Sequence, residues 1–343
     1  MRATHCAFAA LAVLAGTIFG AAPLAWADEP LNIRHGWVVL TGTISPLMFE
    51  KPDIMKYLGK TYTVEPMHFA GTSPELTALA AGELDIASLA YSSFANGIVN
   101  AHLDDMRIVA DGFQDGAKGY ASIEYLVRND GSIKRVEDLK GKVMGVNVIG
   151  TAVDIGGRAV LLNHGLVADR DYSIIEGAFP AIGAMLLAGK ADVVSMVTPF
   201  LYAPEVQKGA HRLFTMRDGM GSSQMIVLVA RESFLREHRA ALDDFFEDMV
   251  RGLHWMYEPA NRAEAIAFSA KIAKIPASQL EAFFLTNQDS YRDPDGMPDL
   301  DALQRNIDAQ VKFGFLKESF DVKKYADLSF IQRAARRFET ASR

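Results

Sequence analysis

Residues 81–89 read AGELDIASL, and residues 188–196 repeat the pattern as AGKADVVSM. In both copies an apolar segment that predicts a helix ends at a glycine, and a polar residue pair follows it. A segment rich in β-branched residues or Leu then predicts a strand. Asp85 and Asp192, just before these strands, are expected to have structural roles at the strand starts. The repeat predicts two similar α/β lobes with a cleft between them.

Outward from the first copy, residues 31–113 alternate between apolar segments and polar loops. Strands are predicted at 31–37, 62–67 and 85–91. One helix is predicted to open at Pro46. Another is predicted to have Ser73 as its N-cap, Pro74 at its first position and Gly82 just beyond its end. This alternation is typical of a mostly parallel sheet that is covered by helices on both faces.

Outward from the second copy, the same pattern restarts near residue 120 and continues to about residue 221. Strands are predicted at 143–148, 172–175 and 192–198, and a helix is predicted over 152–163. The apolar, β-type segment 225–230 then predicts a strand that returns the chain to the first lobe.

The last third of the chain predicts helices. From Ser233 the apolar side chains recur at helical steps until Pro259. Ser278 and Glu281 have the spacing of a capping box, and a further helix is predicted over 300–313. The expected division is lobe 1 over 28–115, lobe 2 over 116–221, and the return to lobe 1 with the C-terminal helices over 222–343.

The first 27 residues have the pattern of a secretory signal peptide. Arg2 supplies a positive charge, residues 8–22 are apolar, and Ala25-Trp26-Ala27 matches a cleavage site. Asp28 would then be the first residue of the mature chain. The pattern predicts export to the periplasm rather than an N-terminal membrane anchor.

Composition excludes several classes of protein. The only cysteine, Cys6, lies within the leader, so the mature chain is predicted to lack disulfides, cysteine-bound metals and thiol nucleophiles. The chain is 50% apolar with a net charge of −7, which predicts a globular protein that binds neither nucleic acid nor an anionic membrane. Its length predicts two lobes. No phosphate-loop, metalloprotease or serine-hydrolase motif is found, so no cofactor, metal or catalytic residue is predicted, and a monomer is expected.

Four loops share one design, in which a strand ends, a glycine or hydroxyl residue follows, and a helix begins. They are residues 41–45, 71–73, 91–93 and 150–151. Ligands bind at such loops in open α/β sheets, and helix N-termini there can hold a small anion without an arginine. The competing interpretation is that these Ser and Thr residues only cap helices, as Asp154 would after Thr151. Because the same loop design occurs in both lobes, the binding interpretation and the capping interpretation are about equally favoured.

Aromatic residues beside these loops are a second group of candidates. Trp37 ends the first predicted strand, Tyr91 ends the third, and Phe200 and Tyr202 follow the last strand of lobe 2. Any one of them could form a wall of a small-molecule pocket. The alternative is ordinary packing, which is preferred for Phe200.

Residues 133–146, IKRVEDLKGKVMGV, resemble the I-x-x-x-x-D-L-K-G-K-x-x-G-V segment of periplasmic solute-binding proteins. With Phe69-x-Gly71, the AGELDI phrase and Val197-x-Pro199, the chain resembles the nitrate, sulfonate and taurine group of ABC importers, which includes thiamine-precursor binders. The likeness covers nearly the whole mature chain. The DLKGK segment marks the fold and the broad group, and it does not identify a ligand.

The resemblance implies a type II periplasmic-binding-protein fold, in which two doubly wound α/β lobes joined by two hinge crossings close on a ligand. The crossings would fall near 112–120 and 219–225. The implied partners are a small-molecule ligand and an inner-membrane ABC permease with its cytoplasmic ATPase. Carried over by position, the ligand contacts would be Trp37, Thr41, Gly71, Thr72, Ser73, Tyr91, Ser92, Ser93, Asn147, Thr151, Pro199 and Phe200.

The first hypothesis is therefore a binding protein, not an enzyme, that captures a small sulfonate or carboxylate. One alternative is a neutral heterocycle, such as a thiamine precursor, stacked on Trp37, Tyr91 and Phe200. The others are a ligand-sensing partner of a signalling receptor and a secreted enzyme. Enzymes of this fold that make a thiamine pyrimidine carry a cysteine-rich motif and work in the cytosol, so that branch is disfavoured here.

Overall fold

A computed structural model describes residues 29–40, 44 and 48–341. The leader over 1–27, the helix start at Pro46 and the site candidate Thr41 lie outside the described residues. Within them the strands are β1 Leu31–Trp37, β2 Tyr62–His68, β3 Ile86–Ala90, β4 Met106–Asp115, β5 Glu124–Arg128, β6 Val143–Val146, β7 Ser173–Glu176, β8 Val193–Met196, β9 Ala210–Thr215 and β10 Ser223–Arg231.

The helices follow the strands in the expected alternation. They are α1 Thr72–Ala80, α2 Tyr91–Val99, α3 Ala152–Asn163, α4 Phe179–Leu187, α5 Pro204–Gly209, α6 Arg217–Met220, α7 Glu232–Glu237, α8 Arg239–Tyr257, α9 Arg262–Ala273, α10 Ala277–Glu281, α11 Leu300–Lys312 and α12 Ser329–Ala341. Short 3-10 helices cover Pro52–Ile54, Val136–Leu139, Phe200–Tyr202, Pro259–Asn261 and Val322–Tyr325. The helix predicted over 152–163 is confirmed.

The strands form two five-stranded sheets with related topologies. The first has the order β2-β1-β3-β10-β4, and the second has the order β7-β6-β8-β5-β9. In each sheet four strands run in the same direction, and one strand pairs antiparallel with both of its neighbours, β10 in the first and β5 in the second. The α/β fold class predicted from the repeat is confirmed, and β10 returns the chain to the first sheet as expected.

Asp85 and Asp192 have the same structural task in the two sheets. Asp85 accepts hydrogen bonds from the backbone N–H of Arg34 at 2.8 Å and from its guanidinium at 2.7 and 3.0 Å. Asp192 accepts from the backbone N–H of Val143 at 3.0 Å and from the Arg128 guanidinium at 3.3 Å. Each carboxylate thus ties its strand to the neighbouring strand, and the structural role predicted for both is confirmed.

Two predicted helix starts are wrong. Helix α1 begins at Thr72 with Gly71 as its N-cap, so Ser73 and Pro74 lie inside the first turn rather than at the cap. Proline is tolerated at this depth because the first N–H groups of a helix have no partner within the helix. Helix α2 begins at Tyr91 directly after β3, so the loop predicted at 91–93 is the first turn of a helix.

The C-terminal third differs from the prediction in two details. The predicted capping box fails because α10 has Pro276 as its N-cap and ends at Glu281, so Ser278 lies within the helix. The long helix predicted from Ser233 is divided at His238, whose backbone is non-helical. Helix α11 matches its prediction closely, and the Asp299 side chain caps it by accepting from the Ala302 N–H at 2.8 Å.

The chain passes between the sheets twice, at 116–123 and at 216–222. These segments overlap the predicted crossings at 112–120 and 219–225. Gly119 and Gly221 have φ values of +83° and +70°, which favour glycine. The residue limits of the three-part division stay a prediction.

One apolar core runs under both sheets. Tyr91 and Phe94 from α2 belong to the same cluster of buried side chains as Tyr125 on β5 and Val153 on α3. A second cluster joins the outer face of the first sheet to α8, α9 and α12, and a third fills the outer face of the second sheet. The shared core holds the two sheets against each other on either side of a cleft.

Candidate ligand-binding cleft

A cleft of about 790 Å³, including its open mouth, lies between the two sheets. It is bordered by the carboxyl ends of β1, β3, β6 and β8 and by the first residues of α1, α3 and α4. The first crossing and strands β4 and β10 complete its floor. This is the position at which open α/β sheets bind ligands.

Three of the candidate residues line this cleft, namely Thr72, Asn147 and Thr151. The Thr151 hydroxyl donates to the Val148 carbonyl at 2.8 Å or to the Asn147 amide oxygen at 3.1 Å. The Asn147 amide donates to the Ala70 carbonyl of the other lobe at 3.3 Å. A hydroxyl and an amide from one lobe therefore face a hydroxyl from the other lobe.

Gly71 and Ser73 flank Thr72 without lining the cleft. A Cβ atom added at Gly71 would lie 3.1 Å from the Asn147 amide nitrogen and 3.1 Å from a Val148 methyl group. The glycine therefore lets the two lobes approach at this point. Ser73 is half-buried, and its carbonyl accepts from the Thr77 hydroxyl at 3.3 Å within α1.

Tyr91, Ser92 and Ser93 are buried behind the cleft rather than at its surface. The Tyr91 hydroxyl donates to the Ala152 carbonyl at 3.3 Å, which joins the starts of α2 and α3 across the lobes. Burial raises the pKa of Tyr91 far above its ordinary value, so it stays a neutral donor. Ser93 shares a hydrogen bond of 2.8 Å with Thr72 and so positions a residue that does line the cleft.

The remaining candidates lie next to lining residues. The Trp37 ring packs on His68 at 4.5 Å, and the two residues after it, Val38 and Val39, reach the cleft. Phe200 stacks on Phe179 at 6.4 Å between ring centroids, and Phe179 forms part of the wall.

Pro199 follows the lining residue Thr198 through a cis peptide bond.

One wall of the cleft was missed by the sequence analysis. Gln288, Asp289 and Ser290, from the segment between α10 and α11, also line the cleft. The Asp289 carboxylate is buried and accepts from Arg292 at 3.1 Å and from the Ser290 N–H at 2.8 Å. No strand–loop–helix pattern marks this segment, because only the folding of a distant part of the chain brings it to the cleft.

Charge is sparse around the cleft. Among the described lining residues Asp289 carries the only formal charge, and Arg292 neutralises it. Valine, alanine, phenylalanine, isoleucine, leucine and methionine side chains cover most of the wall, and Thr72, Asn147 and Thr151 supply hydrogen bonds. The first turns of α1 and α3 present N–H groups and the positive ends of their dipoles. The arrangement suits a small molecule with an apolar body and one polar or singly charged group.

Other kinds of site are not seen in the part of the chain that the structure describes. No group of three or more His, Cys, Asp or Glu side chains is placed to hold a metal ion there. Likewise, none of the described helices combines the length and the apolar character that crossing a membrane would require.

A sequence model of the NMT1-like family matches residues 27–270. No curated protein sequence matches the chain. Three solved structures with similar folds represent two kinds of binding protein and one enzyme.

The SsuA alkanesulfonate-binding protein of Xanthomonas axonopodis pv. citri, solved with MOPS, has a TM-score of 0.67 and 16% identity over 88% of this chain and 99% of its own. The nitrate-binding protein NrtA of Synechocystis PCC 6803 has a TM-score of 0.69 and 16% identity over 91% of this chain and 90% of its own. The desulfurization enzyme DszB has a TM-score of 0.62 and 14% identity over 90% of this chain and 99% of its own. At these identities the likeness establishes the fold.

Proposed function

The chain belongs to the NMT1-like family, and from this premise we propose that it is the periplasmic substrate-binding component of an ABC importer. Its ligand is a small organic anion, a sulfonate such as taurine or a carboxylate, that is held in the cleft between the lobes. Export through the leader over 1–27 and delivery to a membrane permease with its ATPase belong to the same proposal.

The cleft carries this proposal more than any other feature. It lies where four strands end and where α1 and α3 begin, so N–H groups from both lobes face one small space. A ligand that touches Thr72 in one lobe and Asn147 and Thr151 in the other is held only while the lobes are together. Binding and closure are thereby coupled, as transport requires.

Residues that reach the cleft have direct roles in this proposal, and buried candidates have indirect ones. Thr72, Asn147 and Thr151 bind the acid group, and the apolar wall contacts the carbon skeleton. Trp37, Tyr91 and Phe200 act by holding lining residues in place. The crossings at 116–123 and 216–222 absorb the rotation between lobe 1 (28–115 and 222–343) and lobe 2 (116–221).

Isothermal titration against a panel of small acids and neutral heterocycles tests the ligand class. Taurine, longer alkanesulfonates, and aliphatic and aromatic carboxylates form one arm, and pyrimidines form the other. We expect at least one acid to bind with a Kd below about 1 mM, which corresponds to about −4 kcal/mol. Binding of pyrimidines but of no acid would overturn the anion assignment.

The second candidate function, capture of a neutral heterocycle, is favoured by one observation. The described residues that line the cleft include no Lys or Arg, whereas an apolar wall suits a flat, uncharged ring. The pyrimidine arm of the titration measures this directly.

The similarity to a desulfurization enzyme makes turnover a separate question. The cleft residues that the structure describes include no His or Cys, and the one carboxylate among them, Asp289, is paired with Arg292. We propose that the protein binds its ligand without changing it. Mass spectrometry after a long incubation with the tightest ligand should recover that ligand intact, and a new product would contradict the proposal.

A further inference from the structure

The segment between α10 and α11 contacts three separate parts of the molecule. Its residues Gln288–Ser290 form a wall of the cleft. The carbonyls of Asn287 and Asp289 accept from the N–H of Ala121 in the first crossing, at 2.9 and 3.2 Å. Tyr291 exchanges two backbone hydrogen bonds with Gln114 on β4, at 2.7 and 3.2 Å. The segment is therefore anchored to lobe 1 and to the hinge.

The segment between α10 and α11 also contacts lobe 2, through a stack of two aromatic rings. Tyr202, just after the cleft residues of β8, stacks on Phe283 with 4.5 Å between ring centroids and 9° between ring planes. Phe283 is fully buried in the outer core of lobe 1, and Tyr202 packs against the cores of both lobes. The stack is therefore a bridge from lobe 2 into the core of lobe 1.

Two polar contacts lie beside the stack. The Gln279 amide donates to the Pro199 carbonyl at 3.0 Å, and the Tyr202 hydroxyl donates to the Gln288 carbonyl at 3.4 Å. Each joins lobe 2 to the C-terminal segment. Because Gln288 lines the cleft, the second contact links the bridge to the wall that a ligand would touch.

We propose that Tyr202, Phe283 and Gln279 form a clasp that holds the lobes together and retains the ligand. Tyr202 is a positioning residue in this proposal, because it acts on the ligand through lobe closure. The clasp holds a population of closed molecules even without ligand, so less binding energy is needed for closure. The inference rests on the proposed binding function, yet its test needs no ligand.

The sequence repeat at 81–89 and 188–196 contains two equivalent positions between which the distance between the lobes can be measured. Glu83 and Lys190 are equivalent, exposed residues, one in each lobe, at the strand ends far from the cleft. Cysteines introduced by E83C and K190C can be spin-labelled selectively, provided that Cys6 is removed with the leader or replaced by serine. Double electron–electron resonance then gives the distance distribution in the absence of ligand.

We expect the unclasped variant Y202A to lower the ratio of the short-distance to the long-distance population about tenfold. The Y202F variant keeps the stack and should stay near the wild type. Y57A is the matched control, because Tyr57 is also half-buried against the outer core of lobe 1 but contacts Glu247 rather than lobe 2. An identical distribution in Y202A and wild type, or an equal shift in Y57A, would overturn the clasp. So would a wild type with no closed population.

Ligand release gives the second readout. If the acid panel yields a ligand, the tightest acid should leave Y202A about tenfold faster than Y202F, with a much smaller change in the association rate. Failure of the panel would count against the proposed function, whereas unchanged distances in the labelled protein would count against the clasp.

Discussion

Asp115, the last residue of β4, joins the two ends of the first crossing. Its carboxylate accepts from the Ser122 hydroxyl at 2.6 Å and from the Ile123 N–H at 2.7 Å, and both of these residues line the cleft. Burial outweighs these hydrogen bonds and the nearby Arg217, and it raises the pKa of Asp115 to about 6 from its usual 3.8. A single buried acid thus controls the shape of a cleft wall.

The raised pKa makes the stability of the protein depend on pH. The folded state binds the Asp115 proton more tightly than the unfolded state, so this group's contribution is fully present below pH 3.8. It is lost as the pH rises towards 6, by up to about 3 kcal/mol. In D115N this loss disappears. The variant-minus-wild-type difference in the free energy of unfolding should therefore rise from pH 4 to pH 6 and then level off. Urea titrations at each pH measure it, and parallel curves would contradict the assignment.

Gly71 should determine how closely the lobes meet. Its backbone is extended, with φ of −176°, so alanine or valine fits the backbone and only the contact with Asn147 and Val148 changes. We expect a graded loss of ligand affinity, about threefold in G71A and tenfold or more in G71V. Stability should stay near the wild type in both. Equal affinities in the three proteins, measured by titration of the tightest acid, would show that this contact does not limit closure.

At the scale of elements, each lobe uses one carboxylate to join a parallel strand pair. Asp85 joins β3 to β1 through Arg34, and Asp192 joins β8 to β6 through Val143. Both carboxylates follow a glycine with positive φ that ends the preceding helix, with φ of 73° at Gly82 and 71° at Gly189. The repeated sequence is therefore a repeated mechanism for turning from helix to strand.

Removal of either carboxylate should destabilise its lobe. D85A and D192A each leave a backbone N–H without its partner, at a cost of about 1–3 kcal/mol in the free energy of unfolding. The control is D53A, because the exposed Asp53 carboxylate pairs with Lys51, which keeps Glu264 as a second partner when Asp53 is removed. Urea denaturation should shift to lower midpoints in the first two variants and stay unchanged in the control. Equal urea midpoints in D85A, D192A and D53A would show that the hydrogen bonds of Asp85 and Asp192 do not stabilise the folded protein.

Local signals explain which elements could be predicted from the sequence. Helix α3, β1 and the strand starts at Asp85 and Asp192 follow from glycines, apolar periodicity and capping residues within a few positions. The exact start of α2 could not be predicted, because Tyr91 has no residue that marks a cap, and tertiary packing decides it. For the same local reason, Thr72, Asn147 and Thr151 could be predicted to lie near the cleft, which they line. The Gln288–Ser290 wall was missed because its position depends on contacts with Ala121 and Gln114, far away in the sequence.

At the scale of the whole molecule, two similar sheets share one core and enclose a cleft to which three kinds of contact between the lobes contribute. Two crossings connect the sheets, Asn147 before α3 donates to the Ala70 carbonyl before α1, and Tyr202 stacks on Phe283 of the C-terminal segment. Each of these contacts joins the lobes, so the proposed function makes closure and ligand capture one event. In the complex that we propose, the acid group of the ligand lies at the helix starts inside this cleft.

A crystal structure of the protein with the tightest acid of the panel tests that claim most directly. We predict that the acid oxygens lie about 3 Å from N–H groups in the first turn of α1 or α3, beside Thr72 or Thr151, with the carbon skeleton on the apolar wall. A ligand bound outside the cleft, or one whose acid group points to Asp289 and away from both helices, would contradict the account.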